Sequence, residues 1–180
     1  PFVNLSADPA QQYFSDGLAE EVLDRLGQVP GLMVVARSSS FVFRDGKDDI
    51  REIAEKLGVN AVLEGTVRRD GKRLRLSAKL VDGKSGYQLW SGSFDREAGD
   101  LFAVQAELAQ AVINAIVPVA RGDSPVNALS APPPTVSLSA YDLYLLGKSK
   151  ASTRWPNDML QSVQYLEQAL AQVAAALHAA

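Results

Sequence analysis

The sequence predicts an α/β (α+β) protein: a two-layer domain with helices on one face of a mixed β-sheet, followed by a Pro-rich linker and a helical hairpin. Three observations predict it. Strand and helix signals alternate over about the first 120 residues. One hairpin, centred on Asp70-Gly71, sorts nearly all of its apolar residues onto a single face. The stretch RGDSPVNALSAPPPTVSLS, Arg121 to Ser139, carries two charges and a triple proline at Pro132 to Pro134. Such a stretch favours extended polyproline backbone and reads as a semi-rigid spacer. The expected division is therefore 1–120 for the α/β domain, 121–139 for the linker and 140–180 for the hairpin.

Phe2, Val3 and Leu5 read as the end of a strand already under way at Pro1, so the chain is expected to begin inside a larger protein. Asp16 is placed to cap a helix through Gly27, with Leu18, Val22, Leu23 and Leu26 on one face and Pro30 beyond its end. Leu32 to Ala36 is a short apolar run, expected to be a covered strand. Asp49-Ile50-Arg51-Glu52 resembles a capping box, Ile50, Ile53, Ala54 and Leu57 follow at helical spacing, and Gly58 is placed to stop the helix.

Pairing outward from Asp70-Gly71 sets Val67 opposite Leu74, Gly65 opposite Leu76 and Leu63 opposite Ala78 on one face. The other face receives Arg68 with Arg73, Thr66 with Arg75, Glu64 with Ser77 and Val62 with Lys79. A turn around Asp82 to Gly86 leads into a strand, Tyr87 to Phe94, with Trp90 and Phe94 on one face as core residues. Asp100 is placed to cap a long helix to about Val117, its buried side formed by Leu101, Val104, Leu108, Val112 and Ile116. Beyond the linker, Ser139-Ala140-Tyr141-Asp142 resembles a second capping box, and Trp155-Pro156 breaks the helix that follows.

Composition leans away from catalysis. The 180 residues are 47% hydrophobic and 22% charged, and the net charge of −3 offers no electrostatic reason for nucleic-acid binding. Cysteine is absent, which removes disulfides, thiolate metal sites and a cysteine nucleophile. The lone histidine, His178, lies in an alanine-rich tail, so neither zinc chemistry nor a Ser-His-Asp triad has the residues it needs. No apolar run reaches the roughly 18 residues of a bilayer span, and no charged start leads into an apolar core as in a signal peptide.

Gly83-Lys84-Ser85 looks like the tail of a phosphate-binding loop, but Ala78 occupies the required glycine position and the segment joins two strands. It reads as a hairpin turn. The basic set Arg68, Arg69, Lys72, Arg73, Arg75 and Lys79 reads either as a solvated sheet face or as a docking surface; Arg68, Arg73, Arg75 and Lys79 are its candidate interaction residues. Arg37-Ser38-Ser39 follows an expected strand at its C-terminal end, where a small anion could be held; self-bonding side chains at a strand exit are the alternative. Glu20-Glu21 and Asp48-Asp49 diverge by about 100° on their helices and read as dipole partners rather than acid/base pairs.

The runs PFVNLSADPAQQYFSDGLAEEVLDRL, VVARSSSFVF, DIREIAEKLGVNAVLEGTVRRDGKRLRLSAKLVDGKSGYQLWSGSFDRE and DLFAVQAELAQAV resemble a bacterial module related to the TolB amino-terminal domain and to FlgO. The resemblance covers Pro1 to about Val117. It implies a small domain with no catalytic residues and no cofactor. It also implies a place between an output domain, often a class III adenylate/guanylate cyclase or a winged-helix domain, and an array of tetratricopeptide repeats. Gly147 and the spacing of Ser162, Leu166 and Ala169 are similar to one such repeat, with a longer inter-helix loop and no closing proline.

The expected function is thus a non-catalytic sensor or protein-interaction module of a larger bacterial signalling protein. Alternatives are the regulatory half of a cyclase and an envelope scaffold like FlgO. A protein partner or self-association is expected, without nucleic-acid contact, and with membrane contact only through a segment outside this chain. The periplasmic side of a membrane-anchored protein is the favoured location, the cytoplasm the alternative.

Overall fold

A computed structural model describes residues 1–97, 101–121, 137–153 and 155–178. Its sheet has four strands in the order β1-β2-β3-β4: β1 (Phe2–Asn4), β2 (Ala61–Asp70), β3 (Arg73–Asp82) and β4 (Gln88–Glu97). β1 runs parallel to β2 and the remaining neighbours are antiparallel, so the sheet is mixed. Its helices are α1 (Gln12–Gly27), α2 (Arg37–Ser40), α3 (Ile50–Leu57), α4 (Leu101–Arg121), α5 (Leu138–Thr153) and α6 (Pro156–His178). The expected α+β class is the one observed.

The core forms where α1 and α4 cover one face of the sheet. Phe14, Leu18 and Val22 of α1 meet Val67, Leu74, Leu76 and Leu80 of the hairpin and Val104, Leu108, Val112 and Ile113 of α4. Residues of β3 alternate between buried and exposed along most of its length, the period-two signature of a sheet covered on one side. Trp90 and Phe94 pack against this core half-buried, as their shared face implies.

Several expectations are corrected. Helix α1 begins at Gln12, ahead of Asp16, after a 3-10 turn (Pro9–Gln11) whose N-cap is Asp8. Asp16 is instead a buried residue inside the helix, ion-paired to Arg44 at 2.6 Å and accepting from Gln12 at 2.9 Å. The earlier start also puts Glu20 and Glu21 in mid-helix, beyond the reach of the N-terminal dipole. The run Leu32 to Ala36 joins no sheet; Leu32 and Val34 still pack on the core. An apolar run has the same composition whether or not a neighbour offers it a ladder, so periodicity could not separate the two.

The hairpin register differs by two residues from the expected one. Asp70 closes it opposite Arg73, and the turn is Gly71-Lys72 with Gly71 at φ 54°. Glycine takes the first turn position because the left-handed backbone there costs it nothing. Val67 therefore faces Leu76, Gly65 faces Ala78, and Arg68 faces Arg75. A slip of two leaves every side chain on its expected face, so the inner and outer sets survive intact.

Asp49 caps α3 by accepting from the Arg51 amide at 2.9 Å, and Gly58 ends it in the left-handed conformation. The segment Gly83-Lys84-Ser85 is a turn held by Asp82, whose Oδ1 accepts from the Ser85 amide and hydroxyl, each at 2.6 Å. The last strand starts at Gln88 rather than Tyr87 and runs on to Glu97. Helix α4 extends to Arg121. Asp100 and the triple proline lie outside the described residues, as do the side chains of Leu101 and Ile116. Helix α5 is capped by Ser137, which accepts from the Ala140 amide at 3.2 Å, rather than by Ser139.

Candidate functional site

The outer face of the sheet carries Arg68, Arg73, Arg75 and Lys79 of the basic set. Arg73 and Arg75, two residues apart on β3, converge on one carboxylate of β4: Asp95 lies 3.4 Å from Arg73 and 2.7 Å from Arg75. Arg75, then Arg73, hold the Asp95 carboxyl below its ordinary range. Lys79 pairs with Glu64 at 2.7 Å. The repulsion expected between Arg68 and Arg73 is therefore not the one that arises; Arg68 faces Arg75, and Asp95 takes up the charge. Arg68 is exposed on the same face and has no ion-pair partner among the described residues. Charges in this setting are solvated and individually worth little.

Arg37 opens the single turn of α2. Its guanidinium lies 3.1 Å from Glu20 and 4.4 Å above the Phe41 ring, so a carboxylate of α1 already stands where an anion would sit. Ser38 and Ser39 are exposed, and the Ser39 amide donates to the Ala36 carbonyl at 3.0 Å. The partners of the Arg37 guanidinium are thus Glu20 and the Phe41 ring.

A third constellation, which sequence reasoning missed, joins α5 to the α/β layers. Arg69 donates two bonds to Asp142, at 2.7 and 2.8 Å, and lies 5.0 Å over the Phe14 ring. Both side chains are largely shielded, at 14% and 21% exposure. Tyr141 is buried, and its hydroxyl accepts from Gln105 of α4 at 2.7 Å. Burial, reinforced by Glu21, pushes the Tyr141 hydroxyl far above the ordinary tyrosine value. Leu145 packs against Gly17, where a Cβ would stand 2.5 Å from its methyl carbon. Only glycine lets α1 and α5 approach this closely.

Lys148 completes the seam, 3.3 Å from Glu20 and 3.1 Å from Glu21, and Tyr144 donates to Glu21 at 3.1 Å. Burial pulls the Lys148 ammonium down, but Glu21, Tyr144 and Glu20 outweigh it and hold it above the ordinary lysine value. The Glu20-Glu21 pair thus serves Arg37 and α5. One sequence signal pointed here: Arg69 shares the phase of Gly65 and Val67, an arginine on the apolar side of its strand. A charge in that phase needs a shielded partner.

The helical pair is built on small residues as well. A Cβ on Gly147 would stand 2.7 Å from Leu166 Cγ, and Ser162 and Ala169 of α6 are buried. Met159, Leu160, Val163 and Leu170 of α6 remain exposed. Among the described residues no helix is long and apolar enough to cross a membrane, and no three acidic or histidine side chains form a metal cluster.

No known family model matches the chain. It is 46% identical over 116 residues to a protein of Rhizobium meliloti (strain 1021) named "Putative adenylate cyclase 3". The match takes in 64% of this chain and 20% of that relative, so the chain spans about a fifth of the relative's length. Among solved structures, it is similar to the lipoprotein GNA1162 of Neisseria meningitidis, with 24% identity, TM-score 0.46, and coverage of 65% of this chain and 92% of that one. It is also similar to the LpoB C-terminal domain of Salmonella enterica, with 17% identity, TM-score 0.42, and coverage of 53% of this chain and 77% of that one.

Proposed function

We propose that this chain is a non-catalytic interaction module of a larger bacterial signalling protein, the regulatory neighbour of a cyclic-nucleotide-forming output domain. The observation that carries the reading is the 46% identity to one segment of a much longer relative whose name is that of an adenylate cyclase. The site chemistry agrees with it. Arginines that already hold carboxylates, with no convergent acid, base and nucleophile among the described residues, suit recognition rather than turnover.

On this reading residues 1–120 form the platform, 121–139 the connection and 140–180 the first pair of a repeat array, similar to a tetratricopeptide unit. The exposed apolar side chains of α6 support that last step, because a solenoid pair buries its outer face only against the next one. Arg68, Arg73, Arg75 and Lys79 are the proposed docking residues of the platform. Sequencing the gene upstream of Pro1 tests the reading. A cyclase domain there upholds it, a winged-helix domain keeps the signalling module but removes the cyclase, and a bare signal peptide overturns it in favour of an envelope scaffold.

A further inference from the structure

The helical pair meets the α/β layers along one face of α5, where Tyr141, Asp142, Leu145 and Lys148 recur at helical spacing. Opposite them stand Gln105 of α4, Arg69 of β2, and Gly17, Glu20 and Glu21 of α1. These residues make a receiving groove with matched features. Gly17 is a notch for Leu145, Arg69 a cationic fork for Asp142, Gln105 a donor for the Tyr141 hydroxyl, and the two glutamates a seat for Lys148. A helix without the aspartate would leave Arg69 shielded and without its carboxylate, so the groove discriminates in favour of the α5 sequence.

The pair is also a unit in its own right. Gly147 lets α6 close on α5 at Leu166, Lys150 meets Asp158 at 2.9 Å, and Ser139 donates to Gln172 at 2.6 Å. These contacts lie inside the pair and travel with it if α5 leaves the groove. Residues 122–137 separate α4 from α5. A chain of that length reaches at most roughly 50 Å, about twice the length of α5 itself.

We propose that the groove accepts α5 from a second copy of this chain in place of its own, so that two molecules exchange their helical pairs. The closed and exchanged forms make the same seam contacts and differ chiefly in the cost of association. An isolated molecule docks its own α5, which a flexible connection holds at an effective concentration on the order of millimolar. Two copies kept side by side reach the same regime for each other's helix. The occupant is fixed by complementarity: among the described residues, α5 is the helix that carries the groove's counterpart at each position.

Charge reversal on the full chain tests this. Asp142→Arg sets two arginines against each other within one molecule, and Arg69→Asp sets two aspartates. Each variant therefore rejects its own helix, but in a mixture each helix meets the opposite charge in the other molecule's groove. Equimolar mixing should give a complex of about twice the monomer mass in light scattering, at a concentration where each variant alone is monomeric. The chain carrying both substitutions should close on itself and stay monomeric at that concentration. If a charge-reversed variant does not fold, Gly17→Phe and Leu145→Glu are mixed instead. The first fills the notch and keeps its helix, the second spoils its helix and keeps the notch, so the same doubling of mass is expected. A mixture that stays monomeric overturns the proposal. So does equal association of either variant with itself, which would place the contact outside the groove. The outcome does not depend on what the upstream gene encodes, so the signalling role and the exchange stand or fall separately.

Discussion

Two arginine–aspartate pairs, their arginines on adjacent strands of one sheet, differ in a way that distance does not reveal. Arg75 meets Asp95 at 2.7 Å on the outer face, and Arg69 meets Asp142 at the same 2.7 Å on the inner one. The outer side chains are 62% and 33% exposed, the inner ones 14% and 21%. Outside, water and salt compete with the pair, and Asp95 is shared with a second arginine. Inside, two parallel bonds form a shielded fork, and neither ion has much water to fall back on. Identical chemistry at identical length therefore holds a helix to the domain in one place and decorates a solvated surface in the other.

The sharpest way to calibrate the inner face is Leu76→Ala. This fully buried residue touches no charge pair, and its truncation is expected to cost about 3 kcal/mol in chemical denaturation. Arg69→Met should follow at about 2 kcal/mol, because Asp142 is left shielded and unpaired. Adding Asp142→Leu to it should recover part of that loss. If the double variant is no more stable than Arg69→Met alone, the inner pair is as weak as the outer one and the contrast collapses.

Alkaline titration probes the same seam. Tyr141, Tyr144 and Lys148 all have folded values raised above their ordinary ones, so the folded state holds protons that the unfolded state releases. Their contribution is complete below pH of about 10 and is lost as pH rises through the raised values. Unfolding free energy should accordingly fall by about 1 kcal/mol or more per pH unit above 10. A flat profile to pH 11 would show that the α5 seam is open in solution. The smallest effect belongs outside: Arg75→Ala should change stability by less than about 0.5 kcal/mol at moderate salt. A larger loss would promote the outer face from decoration to structure. Unchanged binding of a purified partner by the triple variant Arg68→Ala, Arg73→Ala, Arg75→Ala would remove the proposed docking role.

Local rules were legible where neighbours in sequence are also neighbours in space. The Asp49 cap, the Gly58 stop, the Asp82 turn and the break at Trp155-Pro156 each depend on a few consecutive residues. Of the candidate surface, the membership of the outer face was readable from alternation, but Asp95 as the shared partner of Arg73 and Arg75 was not. That pairing depends on how β4 aligns with β3. Arg37 reads as an anion ligand in sequence because Glu20, seventeen positions earlier, comes near it only after α1 and α2 fold together.

Alternation and turn chemistry were enough to specify a mixed α/β layer structure, an inner and an outer hairpin face, and a pair of helices toward the C-terminal end. A period of two assigns faces without regard to register, so even a two-residue error in pairing left the core list correct. What periodicity does not encode is which distant surfaces meet. The docking of α5 depends on a bare Gly17 admitting Leu145, on Gln105 reaching Tyr141, and on Arg69 finding Asp142. Each joins residues from different elements, far apart along the chain. Burial is a property of the assembled molecule, and burial is what turns those contacts from solvated side chains into a held interface.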